Sequence, residues 1–275
     1  MANKETAVIV GVGPGLGAAL ARRFATADFI VAIAARDQSK LHAIATAIGP
    51  DVHAYCCDVT EEDQVDRLFQ AVEQELGAPG VAIHNAGPYL RKSILDTTKD
   101  DLEGCWRSTC LGGFLVGRAA ARIMVPRGRG TILFTGATAS LRGSALFHNT
   151  AVGKFGLRAI AQSMARELQP KGVHVAHVVS TVPSTPRTSG LSLATAIPKA
   201  FFRPKTSPKP TTSSIASATA RGRKNSTFDP GRKSSRNGSA SLDGNLSSST
   251  DGWRTVRFLT PEAGRYIRSS HADTS

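Results

Sequence analysis

Gly11-Val12-Gly13-Pro14-Gly15-Leu16-Gly17 separates an apolar run, Thr6 to Val10 (T-A-V-I-V), from Ala18-Ala19-Leu20-Ala21, a stretch of helical composition. The order is strand, glycine turn, helix start. Glycines let the backbone come close to a ligand, and the free N–H groups and dipole at a helix N-terminus favour a pyrophosphate there. Nucleotide binding is therefore the first expectation, with a tight turn that binds nothing as the alternative.

The same alternation continues outward from the turn. Phe29 to Ala35, Val52 to Val59, Val81 to Ala86, Thr131 to Thr135 and His174 to Val179 read as further short apolar strands. Gly17 to Ala27, Ser39 to Ile48, Glu61 to Leu76, Lys99 to Val125 and Ala151 to Gln169 read as helices. Thr60 is the expected N-cap of the third helix, because Glu61, Glu62 and Asp63 put acid in its first turn; Pro126 stops the fourth. Repeated strand–helix units predict a doubly wound α/β domain with a parallel sheet covered on both faces.

The pattern ends at residue 180. The chain has 275 residues and a net charge of +13. Residues 1–179 carry 19 Lys/Arg against 16 Asp/Glu, a net +3, so the basicity lies in the remainder and is no argument that the folded part binds nucleic acid. Residues 180–275 hold 32 Ser or Thr, with Pro clusters such as Arg203-Pro204-Lys205-Thr206-Ser207-Pro208-Lys209-Pro210, too little periodic apolar surface to offset ordering entropy. Two regions follow: an ordered 1–180 and a 181–275 tail, disordered from about 181 to 250, with Trp253 to Ile267 allowed one short element at most. So abrupt a change has the form of a shifted reading frame or unspliced intron, which cDNA encoding these residues across position 180 would refute. The basic runs Arg221-Gly222-Arg223-Lys224 and Arg232-Lys233-Ser234-Ser235-Arg236 are expected to be solvated rather than nucleic-acid contacts.

Cys56, Cys57, Cys105 and Cys110 lack the partners and spacing of a zinc site and are too few for a disulfide scaffold, so no metal is expected. With no signal sequence and no apolar run of membrane-span length, a cytoplasmic, soluble chain without membrane contact is expected.

Three more segments sharpen the nucleotide reading: His84-Asn85-Ala86-Gly87 at the end of the fourth strand, Gly130-Thr131-Ile132-Leu133-Phe134-Thr135-Gly136-Ala137 in the fifth, and Lys154 in the following helix. Together with the glycine loop and Cys57-Asp58-Val59-Thr60, this ordered set resembles the short-chain dehydrogenase/reductase (SDR) family over roughly residues 4–179. The resemblance implies a Rossmann-like sheet of order 3-2-1-4-5-6 with a seventh edge strand, and an oxidoreductase acting on an alcohol or carbonyl with a nicotinamide dinucleotide. It assigns Gly11, Gly13, Gly15, Leu16 and Gly17 to the cofactor loop, Asp58 and Val59 to the adenine, Asn85, Ala86 and Gly87 to the adjoining pocket, and Lys154 to the nicotinamide ribose. At the end of strand two, where a carboxylate would read a ribose 2′-hydroxyl, Ala35 is followed by Arg36, which favours NADP(H) over NAD(H). The competing reading pairs Arg36 with Asp37.

The catalytic positions depart from the family pattern of Asn, Ser and Tyr-x-x-x-Lys. Aligned on Lys154, the tyrosine position is Thr150, the serine position Ala137 and the asparagine position Cys110. An aliphatic hydroxyl is several pKa units weaker than a phenol and sits on a shorter side chain, so proton transfer is expected to be impaired. His148, Thr138 and Ser140 are the nearby replacement donors, and Cys110 serves as a nucleophile only with a lowered pKa. After strand six, Ser180-Thr181-Val182-Pro183-Ser184 lacks the family's Pro-Gly turn, and the seventh strand is expected to be missing. Two readings remain: an oxidoreductase with a modified site and an unknown substrate, or an inactive nucleotide-binding relative serving as sensor or partner subunit. The resemblance also implies a homo-oligomer built on helices 99–125 and 151–169.

Overall fold

The computed structural model describes residues 4–180 together with two short strands, Val256–Leu259 and Ile267–Arg268. The disorder expected across residues 181–250 lies outside these described residues. Strands β1 (Glu5–Val10), β2 (Phe29–Ala35), β3 (Val52–Cys56), β4 (Pro79–His84), β5 (Gly130–Ala137) and β6 (Val173–Ser180) are linked by crossover helices into a parallel sheet of order β3-β2-β1-β4-β5-β6. Strand residues alternate between the two faces, which is why strands so uniformly apolar belong here: Val8, Val10, Ala82 and Phe134 face one core, Ala7, Ile9, Ile33 and Leu133 the other.

The helices are α1 (Leu16–Ala25), α2 (Gln38–Ile48), α3 (Glu62–Leu76), α4 (Lys99–Trp106), α5 (Gly112–Met124) and α6 (His148–Leu168). Asp37 caps α2 by accepting from Lys40 N at 3.0 Å, and Thr98 with Asp101 forms a capping box on α4. Helix α3 begins one residue later than expected, with Glu61 at the N-cap, because Thr60 is turned the other way: its N–H and hydroxyl both donate to Asp58 Oδ1. The long helix expected over 99–125 is interrupted by a π-turn, Arg107–Leu111, before α5 ends ahead of Pro126.

The edge of the sheet corrects one expectation. A seventh strand is present: β7 (Val256–Leu259) runs antiparallel beside β6, pairing Val256 with Ser180 and Leu259 with His177, and β8 (Ile267–Arg268) pairs with β7. Val-Arg-Phe-Leu has strand-forming composition, and an open β6 edge offers its backbone a complete row of partners. Among the described residues, no helix is long and apolar enough to cross a membrane.

Candidate functional site

The carboxyl ends of β1, β2 and β4 and the start of the π-turn enclose a cleft of about 590 Å³. Gly11 closes its floor: with φ of +86° it lies so near Ala86 that a Cβ would overlap the Ala86 backbone, and its own carbonyl accepts from Asn85 Nδ2 at 2.9 Å. Gly17 is just as tightly placed, since a Cβ there would stand 2.7 Å from Val12 Cα and separate α1 from the loop. Gly13 and Gly15 differ, because a Cβ on either meets nothing within 4 Å. Gly15 is also the N-cap of α1, without a side-chain cap and with no acid in the first turn, which Leu16 opens. The loop thus has two glycines that hold the backbone together and two that leave room beside an electropositive helix end. These features fit a pyrophosphate.

Arg36 and Asp58 line this cleft together with Val59, Ala86 and Gly87. Asp37 does not hold Arg36; its carboxylate is bound to Lys40 Nζ at 2.6 Å as well as to the α2 backbone. Among the described residues Arg36 makes no ion pair, so its guanidinium is available to an anion. Asp58 keeps its place through Thr60 on Oδ1 and through its own N–H, which donates to Gln64 Oε1 at 2.9 Å.

Next to Gly87 come the positions that the resemblance marks as catalytic. Lys154 is buried on α6 and its Nζ donates to the Thr135 carbonyl at 2.6 Å; burial alone lowers its pKa to about 8. A Cβ on Gly87 would stand 2.7 Å from Thr109 Oγ1 and 3.6 Å from Lys154 Nζ, which places Thr109 and Lys154 side by side at this end of the cleft. Cys110, the residue counted to the asparagine position, is directed elsewhere. Its Sγ packs on Gly156 of α6, and burial raises its pKa, the wrong direction for a nucleophile. Sequence counting missed Thr109, and only the π-turn decides which of the two neighbours faces Gly87.

Ala137 brings no hydroxyl. Its N–H donates to Ser140 Oγ at 3.1 Å, which fixes the buried Ser140 within a turn rather than toward the cleft. Thr150 Oγ1 is buried with no hydrogen-bond partner among the described residues, as are both amide atoms of the adjacent Asn149. His148, expected in a loop, opens α6; the Thr97 hydroxyl donates to Ser93 O at 2.7 Å, so His148 Nε2 donates to Thr97 Oγ1 at 2.8 Å. That bond makes His148 a tie between the start of α6 and the loop before α4.

Two further histidines lie beneath the site. His84 and His177 flank Phe134 in register on β4, β5 and β6, and both are buried. His84 Nε2 donates to Thr109 O at 3.1 Å, holding the π-turn from below. Desolvation first, then the Lys154 charge, lowers both pKa values to about 3, so both rings are neutral near pH 7.

A model of the short chain dehydrogenase family matches residues 5–194. A solved short-chain dehydrogenase from Rhodopseudomonas palustris is 39% identical, with a TM-score of 0.64 over 70% of this chain and 89% of that one. A short-chain dehydrogenase/reductase of Armillaria gallica is 33% identical over 177 residues, 62% of this chain and 68% of the relative. The 3-oxoacyl-[acyl-carrier-protein] reductase of Bos taurus is 29% identical over 171 residues, 62% of this chain and 72% of the relative. The aligned part spans about two thirds of the length of these curated relatives. The parallel sheet, the glycine cradle at its switch point and this match over most of the chain agree: the chain belongs to the short-chain dehydrogenase/reductase family, oxidoreductases that work with a nicotinamide dinucleotide.

Proposed function

We propose that this chain binds NADP(H) in preference to NAD(H) and acts on a carbonyl or alcohol with an impaired proton-transfer step. The carrying observation is the cradle of Gly13 and Gly15 beside an uncapped helix end, with Arg36 unpaired on the wall where a 2′-phosphate would lie. A bound nicotinamide supplies the hydride chemistry; the protein binds, orients and handles the proton. Lys154 holds an ammonium beside Gly87. Thr150 offers only a weakly acidic hydroxyl, and Ala137 nothing with which to orient a substrate oxygen.

Titration of NADPH and NADH into the purified chain, with thermal unfolding in parallel, tests the binding half. Saturable NADPH binding that raises the melting temperature supports the reading, and binding of neither nucleotide removes it. Arg36→Ala should weaken NADPH by about 10- to 100-fold, the range for hydrogen bonds to a charged group, and leave NADH within about twofold. An equal loss of both would show that Arg36 does not read the phosphate.

The missing hydroxyls favour the second reading, an inactive nucleotide-binding relative serving as sensor or partner subunit. Thr150→Tyr separates the two. Restoring an acid beside Lys154 should raise NADPH oxidation against a panel of ketones and aldehydes by about 10²-fold, the lower end for a positioned proton donor because Ala137 is still silent. A variant that binds NADPH as tightly as the parent yet gains nothing supports the inactive relative. Trp106, Phe114, Val152 and Phe155 are large, partly exposed apolar side chains on α4, α5 and α6, and they support a homo-oligomer built on these helices.

A further inference from the structure

Arg107 opens the π-turn and lines the same cleft as Arg36, a position to which the family resemblance gives no role. Other arginines along the same side of the molecule are committed to carboxylates of α3. Arg118 donates to Glu62 and lies over the Phe114 ring at 5.1 Å, and Arg122 approaches Asp66 at 3.4 Å. Arg107 is held only loosely: its Nη2 is 3.7 Å from Glu61 Oε1 and its Nη1 4.0 Å from Glu103 Oε1, both beyond hydrogen-bond reach. Among the described residues its guanidinium makes no hydrogen bond. The two acids orient it without consuming its donors.

That tether also fixes which part of the cleft Arg107 serves. Glu61 directly follows Asp58-Val59-Thr60, so the guanidinium lies against this turn, whereas Arg36 belongs to the end of β2. Two residues apart on the helical turn, the side chains diverge, Arg107 toward the Asp58 turn and Thr109 toward Gly87.

We infer that Arg107 is an adenine-binding residue, its planar guanidinium covering the purine that enters between the π-turn and the Asp58 turn, while Arg36 reads the phosphate. The inference rests on the proposal that the chain binds a nicotinamide dinucleotide. A guanidinium over an aromatic face is attracted by the ring's quadrupole, and adenine presents such a face whether or not the ribose is phosphorylated. Arg107 therefore contributes to affinity without contributing to NADP selectivity.

The test is calorimetric titration of NADPH and of NADH into the full chain and its variants without substrate. Arg107→Ala should weaken both by the same factor, about five- to twentyfold. Arg36→Ala weakens NADPH alone. Arg107→Lys keeps the charge and its attraction to the ring but loses the flat stacking surface, and should recover at most part of the affinity lost in Arg107→Ala. If Arg107→Ala melts too early to titrate, Arg107→Lys decides the matter at the parental melting temperature. Unchanged affinities in Arg107→Ala, a loss confined to NADPH, or full rescue by lysine would each overturn the assignment. A parent chain that binds neither nucleotide would remove the cofactor proposal and this one together. A parent that binds both, with silent Arg107 variants, would remove this one alone.

Discussion

Gly11→Ala is expected to destabilise the domain by about 3–5 kcal/mol, a large part of the 5–15 kcal/mol that holds a typical domain together. Two costs combine. An alanine at φ of +86° costs about 1–2 kcal/mol, and its methyl would overlap the Ala86 backbone, which cannot rotate away as a side chain would. Ala86 follows β4 and is fixed from both sides, since the Asn85 N–H donates to Val10 O at 2.8 Å and the Asn85 side chain to Gly11 O. Thermal and urea unfolding should show a melting temperature lower by about 10 °C or more for a domain of this size. Gly13→Ala is the control: with nothing within 4 Å of its Cβ it should melt within about 1 °C of the parent, yet lose dinucleotide affinity by filling the cradle. If Gly11→Ala melted like the parent, the close approach of β1 and β4 loops described above would be wrong.

Acid should unfold the domain through His84 and His177. Each ring has its folded pKa lowered to about 3 by desolvation, with Lys154 adding to it and, for His177, Arg158 as well, against about 6.5 when unfolded. The unfolded chain therefore binds more protons between these values, so stability is complete above about pH 6.5 and falls as the pH drops. Each histidine accounts for about 1.4 kcal/mol per pH unit in that window, so the pair removes on the order of 5 kcal/mol between pH 6.5 and 4.5. Both His177 nitrogens lack a partner among the described residues, so His177→Leu deletes the titration without breaking a hydrogen bond. Urea midpoints across this range should fall about half as steeply in His177→Leu as in the parent. Parallel slopes would show that His177 takes up no proton on unfolding.

Much of the fold is legible because its signals are local. Val-, Ile- and Ala-rich runs alternating with helical stretches predict six strands and four of the helices to within a few residues, and Pro126 and the glycine loop mark real boundaries. The seventh strand is not legible: Val256–Leu259 lies in a polar context, and its pairing with β6 depends on a partner far away in sequence. The π-turn is hidden for another reason. A helix that widens by one residue leaves composition and period almost unchanged, yet it alone decides that Thr109 faces Gly87 while Cys110 packs on Gly156. The signal that could have exposed it is glycine: Gly112 and Gly113 follow the turn and Gly153 and Gly156 face it from α6, the small residues that such close helix packing requires. The site divides similarly. Residue types at the cradle follow from backbone demands and can be counted, whereas the roles of Arg107, Ser140 and His148 depend on which neighbours their polar atoms meet.

The antiparallel pairing of β6 with β7 also sets an order of assembly. Strands β1 to β6 and the cleft among them come from one continuous stretch of chain, while β7 lies on the order of 75 residues further along, a separation whose closure costs roughly 4 kcal/mol of chain entropy. Four paired residues offset little more than that. The β7–β8 pair is therefore the last part to form and the first to exchange its amide hydrogens, and the nucleotide cleft is complete before it arrives.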